Sequence, residues 1–408
     1  MRCGLLGRKL GHSYSPQIHA MLGSYPYHLY EKEPEEVEDF LKNGDFTAIN
    51  VTIPYKKTVL PYCDVLSETA KILGAVNTLV RTPDGKLLGH NTDFYGFSAM
   101  LDRTGLSLRG KKALVLGSGG ASGTAVAVLR NLGAEVIVIS RTGEDNYENL
   151  SRHADAALIV NATPVGMYPH NGASPVDLAL FPQLEGVLDM IYNPARTQLL
   201  LDAQRRGLIA ENGLWMLVAQ AKEAAERFTG KAIDDGLIPQ IHAALRRQME
   251  NIILIGMPGC GKSTLGSILS QTTGKEFVDA DAVLAERAGM SIPEIFASEG
   301  EAGFRARETA VLEALGKRSG IVLATGGGCV TREENFSLLR QNGMVFWVQR
   351  ELSKLPTQGR PLSQQEGLDA LYRRRMPLYA HFAHHSINNN GTTEATVRHI
   401  LEIWEAHP

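Results

Sequence analysis

Ile252-Ile-Leu-Ile-Gly-Met-Pro-Gly-Cys-Gly-Lys-Ser-Thr264 is the stretch that decides how this 408-residue chain is read. Its four apolar residues predict a buried strand, and Gly256 to Thr264 matches G-x-x-x-x-G-K-[ST] immediately afterwards. In that context successive backbone N–H groups converge on phosphate oxygens, a lysine reaches the outer phosphates, and a hydroxyl ligates Mg²⁺. Gly259, Cys260, Gly261, Lys262, Ser263 and Thr264 are therefore expected to hold the phosphates of ATP, with Ser263 on the metal.

The same grammar of apolar run, glycine turn and helical pattern occurs upstream, from Lys112 to Leu129. Here Gly117, Ser118, Gly119, Gly120 and Ala121 offer amides to a pyrophosphate, with a different glycine spacing that implies a different nucleotide. After the predicted strand Glu135 to Ile139 comes Ser140-Arg141-Thr142, where an NAD site usually carries an acid for the ribose hydroxyls. Arg141 favours NADP, whereas the following Gly143-Glu-Asp opposes a 2′-phosphate.

Helical patterns run from Leu214 to Gly230 and from Leu237 to Met249, and the phosphate-loop strand begins almost at once at Asn251. The expected division is residues 1–248 and 249–408, closely tethered because no Pro-rich or Gly/Ser-rich linker intervenes. The first part is expected to hold a substrate lobe of about 1–98 plus 219–248 and an NADP lobe of about 99–218. The fold class is α/β: an α/β substrate lobe and a Rossmann lobe, then a parallel-sheet P-loop domain.

With 41 basic and 44 acidic residues the charge is −3, too balanced to mark a nucleic-acid or anionic-membrane binder, so small molecules are the expected partners. Cys3, Cys63, Cys260 and Cys329 are scattered without a C-x-x-C pair, which suits free thiols in a reducing compartment. No signal-peptide core or apolar run of membrane length is present, and the expectation is a cytoplasmic protein.

Beyond the P-loop, Phe277-Val-Asp279-Ala-Asp281 ends a predicted strand, offering one carboxylate for Mg²⁺ and one to accept a hydroxyl proton; a helix cap is the competing reading of the pair. Thr325-Gly326-Gly327-Gly328 follows the apolar run Ile321 to Ala324 and permits close backbone approach. These join Gly300-Glu-x-x-Phe304-Arg305-x-x-Glu308, Arg360-Pro-Leu and Arg375-x-Pro-Leu-Tyr379 in an ordered series, and from about Asn251 to Ile400 the chain resembles shikimate kinase. The resemblance implies that Asp281, Arg305, Gly326 to Gly328 and Arg375 hold shikimate and that Arg360 lies in a lid over the phosphates. Two positions depart from the family: Ser353 stands where an arginine precedes Arg360, and Ile387-Asn-Asn-Asn-Gly lacks the basic residue of the adenine loop.

In the first part, polar islands fall at the ends of apolar runs: Ser13-Tyr-Ser15, Asn50-Val-Thr52, Lys56, Asn77 and Asn91-Thr-Asp93. Hydroxyls and amides there suit a polyhydroxylated ring, and Lys56 with Asp93 would form a proton-transfer pair; Ser13, Ser15 and Asp93 can equally be helix caps. With Asn161-Ala-Thr-Pro-Val-Gly-Met167, Asp189-Met-Ile-Tyr192-x-Pro194 and Gly213-x-x-Met216-Leu-x-x-Gln220 they resemble shikimate dehydrogenase over roughly Met1 to Leu245. The resemblance places Ser13, Ser15, Thr52, Asn77, Asp93, Tyr192 and Gln220 on substrate, with Lys56 and Asp93 catalytic. It places Glu68, Gly117 to Ala121, Arg141, Met190 and Gly213 along NADP.

Together the two resemblances imply a bifunctional enzyme that reduces 3-dehydroshikimate with NADPH and phosphorylates the resulting shikimate with Mg·ATP. Its rivals are an NAD-dependent quinate enzyme in the first part, or one part retained as a non-catalytic ligand sensor.

Overall fold

Apolar runs that end in a glycine turn and lead into a helix generate parallel sheets, because a short helical crossover returns the chain to the starting edge. The computed structural model describes residues 1–11, 13–355 and 367–407. Two compact units are present: Met1–Val165 with Ser174–Tyr192 and Asp202–Ala244, and Gly166–Ala173 with Asn193–Leu201 and Leu245–Pro408.

The first unit holds two sheets. One is mixed and six-stranded, in the order Tyr27–Glu31, Cys3–Gly7, Ala48–Val51, Thr78–Arg81, Leu87–His90, Val65–Leu66. Its central strands Cys3–Gly7 and Ala48–Val51 are parallel and fully buried, so Thr52 and Lys56 follow from a fixed strand end. The other sheet is all-parallel, in the order Ile209–Asn212, Gly186–Asp189, Leu158–Asn161, Lys112–Leu116, Glu135–Ile139. From Lys112–Leu116 the chain first builds outward on one side and then on the other. That reversal opens a crevice outside the strands' carboxyl ends, where open α/β sheets take ligands. Helices Asp93–Thr104 and Leu214–Thr229 pack against each other, with Gly96 against the Met216 carbonyl, which brings Asp93 and Gln220 to one place.

The second unit is built on a parallel sheet in the order Glu276–Asp279, Ile321–Ala324, Asn251–Ile255, Gly343–Gln349, His385–Asn388. Asn251–Ile255 is central and entirely buried in a core that includes Leu265, Leu312, Phe346 and Phe382. The helix Lys262–Thr273 follows directly. Residues Ile292–Gly316 form two helical legs meeting at Gly300 (φ 68°, ψ −174°), so Phe296 and Phe304 stack at 4.5 Å across the bend. Among the described residues no helix is long and apolar enough to cross a membrane, and the four cysteines are free.

The units part between Ala244 and Leu245, a few residues before the expected 248/249, and the second takes in two short segments from earlier in the chain. Hydrogen bonds inside that unit explain why. The Arg196 guanidinium donates to the carbonyls of Arg340 (3.0 Å) and Gly343 (3.3 Å) and to Glu250 (3.3 Å). Its own N–H donates to the Gln341 carbonyl at 2.8 Å, and Ala195 N–H donates to Asn342 Oδ1 at 2.9 Å. Helical periodicity carries no trace of such contacts, which join residues 54 to 147 positions apart.

Glu250 is buried and also accepts from Arg246 at 2.7 Å, so removing Arg196 leaves its charge half-compensated. Arg196→Ala is expected to lower the stability of the second unit by about 1–3 kcal/mol. Hydrogen exchange of the Gly343–Gln349 strand checks this: accelerated exchange is expected, and unchanged protection would show the segment to be dispensable.

Candidate active sites

The first unit encloses a cavity of about 560 Å³ lined by Lys9, Ser13, Ser15, Asn50, Thr52, Lys56, Asn77, Asp93, Ala121, Met190, Tyr192, Gly213 and Gln220 among others. Residues from positions 5 to 220 meet there because both sheets of the unit present carboxyl ends to it.

Its polar groups are locked to one another. Lys56 Nζ donates to Asp93 Oδ2 at 2.7 Å. Asp93 is the first residue of its helix, with its N–H held by Asn91 Oδ1 at 3.0 Å. Asn77 Oδ1 accepts from Thr92 N–H at 2.8 Å, and Asn77 Nδ2 donates to Thr92 Oγ1 at 3.1 Å. Tyr27 donates to Asn50 Oδ1 at 2.8 Å, and Asn50 Nδ2 reaches Thr78 Oγ1 at 3.2 Å. Buried amides satisfied this way have few alternative arrangements, so the cavity wall is set before a ligand arrives. Ser13 accepts from Ser15 N–H at 3.2 Å and precedes the helix Ser15–Leu22, so it makes a turn and also lines the cavity. Tyr192 meets Tyr14 edge-on at 6.1 Å, and burial raises its phenol pKa.

At the glycine turn, Gly117 has φ 102°, and a Cβ there would lie 3.0 Å from Thr163 and 3.2 Å from the Ala162 carbonyl. Only glycine suits that position. Gly119 and Gly120 by contrast have open space around them and are exposed at the start of the helix Gly120–Asn131. Amides at a helix N-terminus, with the exposed Arg141 following the neighbouring strand Glu135–Ile139, fit a dinucleotide phosphate. Of the two opposing acids, Asp145 turns to His153 at 2.9 Å, and Glu144 remains exposed. Glu68 is not among the cavity-lining residues: it lies exposed and paired with Lys71 at 2.7 Å.

The second unit has a cavity of similar size, about 560 Å³. Phosphate-loop residues Pro258, Gly259 and Gly261 to Thr264 form one wall, and Asp279, Asp281, Arg305, Glu308, Gly326 to Gly328, Arg350 and Arg375 complete it. Cys260 is fully buried behind the loop. Lys262 Nζ donates to the carbonyls of Gly256 (2.9 Å) and Met257 (3.1 Å).

Asp279 divides its two oxygens between a helix cap and the phosphate-loop hydroxyl. Oδ1 caps the next helix, accepting from Asp281 N–H (3.0 Å) and Ala282 N–H (3.3 Å), while Oδ2 accepts from Ser263 Oγ at 2.7 Å. The strand ends at Asp279, so Asp281 lies in the first helical turn. A hydroxyl and a carboxylate beside a phosphate loop suit Mg²⁺, which takes one or two protein oxygens and completes its shell with water and phosphate. Among the described residues no group of three or more acidic, His or Cys side chains could hold a metal unaided.

The triple glycine is pressed by protein. A Cβ on Gly326 would lie 2.5 Å from Glu308 Oε1 and 2.6 Å from Asp281 Oδ1; one on Gly328 would meet the Arg305 guanidinium at 2.0 Å. The glycines thus let Asp281, Glu308 and Arg305 crowd one corner. Arg305 donates to Glu308 at 2.7 Å, and Arg375, 1% exposed, donates to the Gly327 carbonyl at 3.1 Å while its Nε and Nη2 have no partner among the described residues. Burial raises the carboxyl pKa of Asp281 and of Glu308, against the lowering pull of Lys262 on the first and Arg305 on both. Arg360 lies outside the described residues.

The sequence alone assigns no site role to Glu308 or Arg350. Glu308 carries a signal, since Arg305 and Glu308 three apart share a helical face; Arg350 carries none, as one cation after a strand has no pattern.

The two units define, in turn, a Rossmann-type oxidoreductase with a preset polar substrate cavity and a P-loop phosphotransferase. The chain belongs to the shikimate dehydrogenase family and carries a shikimate kinase domain after it. Residues 5–79 match the shikimate dehydrogenase substrate binding domain, and residues 258–405 match shikimate kinase. A shikimate dehydrogenase (NADP(+)) of Clostridium perfringens is 34% identical over 265 residues, which cover 60% of this chain and 97% of that protein. Among solved structures, shikimate 5-dehydrogenase of Thermus thermophilus in complex with NADP(H) and shikimate is 33% identical, with TM-score 0.55 over 60% of this chain and 99% of that one. A chorismate mutase/shikimate 5-dehydrogenase fusion protein of Clostridium acetobutylicum is 36% identical, with TM-score 0.57, covering 60% and 96%.

Asp281 offers a direct test of the second cavity. A carboxyl whose folded pKa is raised binds protons more tightly folded than unfolded, so its contribution favours folding at low pH and is lost as pH rises through the folded value. Asp281→Asn should therefore stabilise the second unit at neutral pH, with the gain vanishing below the ordinary aspartate value of 3.8. Urea unfolding at several pH values reads this; a destabilised variant at neutral pH would show the carboxylate to be favourably held.

Proposed function

We propose that the chain reduces 3-dehydroshikimate to shikimate with NADPH in its first cavity and phosphorylates the shikimate 3-hydroxyl with Mg·ATP in its second. The observation that carries the first step is the Lys56–Asp93 pair at 2.7 Å, in a cavity otherwise walled by fixed hydroxyls and amides. NADPH, held along Gly117 to Ala121, Arg141, Met190 and Gly213, supplies the hydride. Lys56 gives a proton from Nζ to the ketone oxygen as negative charge develops there, and Asp93 holds Nζ in place. Ser13, Ser15, Thr52, Asn77, Tyr192 and Gln220 orient the ring, each hydroxyl or amide matching a ring hydroxyl or the carboxylate. Glu68 keeps its place along NADP in this reading: like Gly117 to Gly120 and Arg141 it lies outside the substrate cavity, and its helix Glu68–Leu73 packs against the helix Gly120–Asn131.

For the second step, Asp281 accepts the proton of the attacking hydroxyl, with the raised pKa of a poised base. Arg305 and Arg375 take the shikimate carboxylate, since both guanidiniums reach the corner at Gly326 to Gly328. Ser263 and Asp279 hold Mg²⁺, whose chemistry is to neutralise charge on the phosphates. Lys262 balances the phosphoryl charge from the loop side, and the sequence assigns Arg360 the same duty. The four unpaired cysteines support a reducing, cytoplasmic setting, and the near-balanced charge supports small-molecule partners over nucleic acid or membrane.

Separable chemistry makes a crossed experiment decisive. Lys56→Ala should lower reduction about 10²–10⁴-fold and leave phosphorylation of supplied shikimate intact, and Lys262→Ala should do the converse. Loss of both activities from either substitution would contradict two independent sites.

A further inference from the structure

The second cavity contains a cation that neither the phosphate loop nor the acid-binding corner uses. Arg350 follows the last residue of the strand Gly343–Gln349 and lines the cavity. Its Nε is buried and has no hydrogen-bond partner among the described residues. Desolvating part of a guanidinium without a partner is unfavourable, so a missing partner is expected in the space it borders.

Position decides which ligand that partner belongs to. The strand before Arg350 runs beside the phosphate-loop strand, with Trp347 paired to Ile255. The Val348 carbonyl lies against Gly256, where a Cβ would come within 2.5 Å. Both neighbours of Arg350 are held from the opposite edge, by the residues that follow the strand His385–Asn388: Asn389 N–H donates to the Gln349 carbonyl at 2.8 Å, and Glu351 N–H donates to Asn390 Oδ1 at 2.9 Å. Asn389 Nδ2 in turn donates to the Cys260 carbonyl in the loop, at 2.7 Å. Arg305 and Arg375, by contrast, gather at Gly326 to Gly328, and Arg305 is already paired with Glu301 and Glu308.

We propose that Arg350 contacts the terminal phosphates of ATP, supplying a guanidinium from the end of the strand Gly343–Gln349. This rests on the kinase reading. Bonds on either side of Arg350 fix the backbone from which its side chain extends, which limits the reorganisation needed to bring the guanidinium to a phosphoryl group as it develops charge.

The test uses the full chain carrying Arg350→Ala, Arg350→Gln or Arg350→Lys, with kinase kinetics varied separately in ATP and shikimate. Binding of a non-hydrolysable ATP analogue is measured by calorimetry. Arg350→Ala and Arg350→Gln should lower kcat/KM for ATP about 10²-fold, leave the shikimate KM within about twofold and weaken the analogue. Lysine should recover part of the loss, because charge returns without the planar fork. Unchanged ATP parameters, or a raised shikimate KM with ATP parameters intact, would overturn the assignment. The unchanged shikimate KM also separates a lost phosphate contact from general misfolding. Wild-type chain assayed alongside separates the two ideas: no shikimate-dependent ADP formation would sink the kinase reading itself, whereas an active wild type indifferent to residue 350 would sink only the role given to Arg350.

Discussion

A helix that follows a parallel strand begins with backbone N–H groups that have no intrahelical partner, and the chain turn that precedes it leaves them at the sheet's carboxyl edge. Both cavities are built on that constraint. Gly119 and Gly120 open the helix Gly120–Asn131 after Lys112–Leu116, and Gly261 opens Lys262–Thr273 after Asn251–Ile255. Phosphate placed there takes up unsatisfied donors and meets the positive end of the helix dipole. The catalytic side chains are arranged around this point because the other strands of each parallel sheet end at the same edge.

The two sites prepare their reactive groups by different physics. In the first, Asn50, Asn77, Asn91 and Thr92 satisfy one another and the backbone, and the ion pair lining the cavity, Lys56–Asp93, keeps contact with solvent. Orientation is its contribution. In the second, three glycines allow Asp281, Glu308 and Arg305 to crowd together away from water, and burial pushes both carboxyls toward protonation. That arrangement stores unfavourable charge where a hydroxyl must lose a proton, the usual cost of a poised base.

Much of this was legible in the sequence because local rules and tertiary environment agree. The run before Gly256 is apolar since its strand is central, and the protein itself requires glycine at two loop positions, Gly256 against the Val348 carbonyl and Gly261 against the Asn389 side chain. Asp279 shows the limit of local reading: capping and metal binding are alternatives on paper, yet its two oxygens permit both. Glu68 is assigned to the cofactor by resemblance alone; it stands outside the substrate cavity, on a helix that packs against Gly120–Asn131. Arg196 and Arg350 are invisible in the sequence for a common reason. The partners of Arg196 and the place of Arg350 in the cavity wall are both set by long-range packing, and neither periodicity nor motif spacing encodes a contact between residues far apart in the chain.

The account stands on two chemistries in one polypeptide. Purified full-length chain supplied with 3-dehydroshikimate, NADPH, ATP and Mg²⁺ tests it most directly, with NADPH consumption and ADP formation followed separately. The account predicts NADPH loss first and ADP formation after a lag, as shikimate accumulates for the second site. ADP formation that needed added shikimate, or NADPH loss without any ADP, would contradict it by showing one unit to be silent.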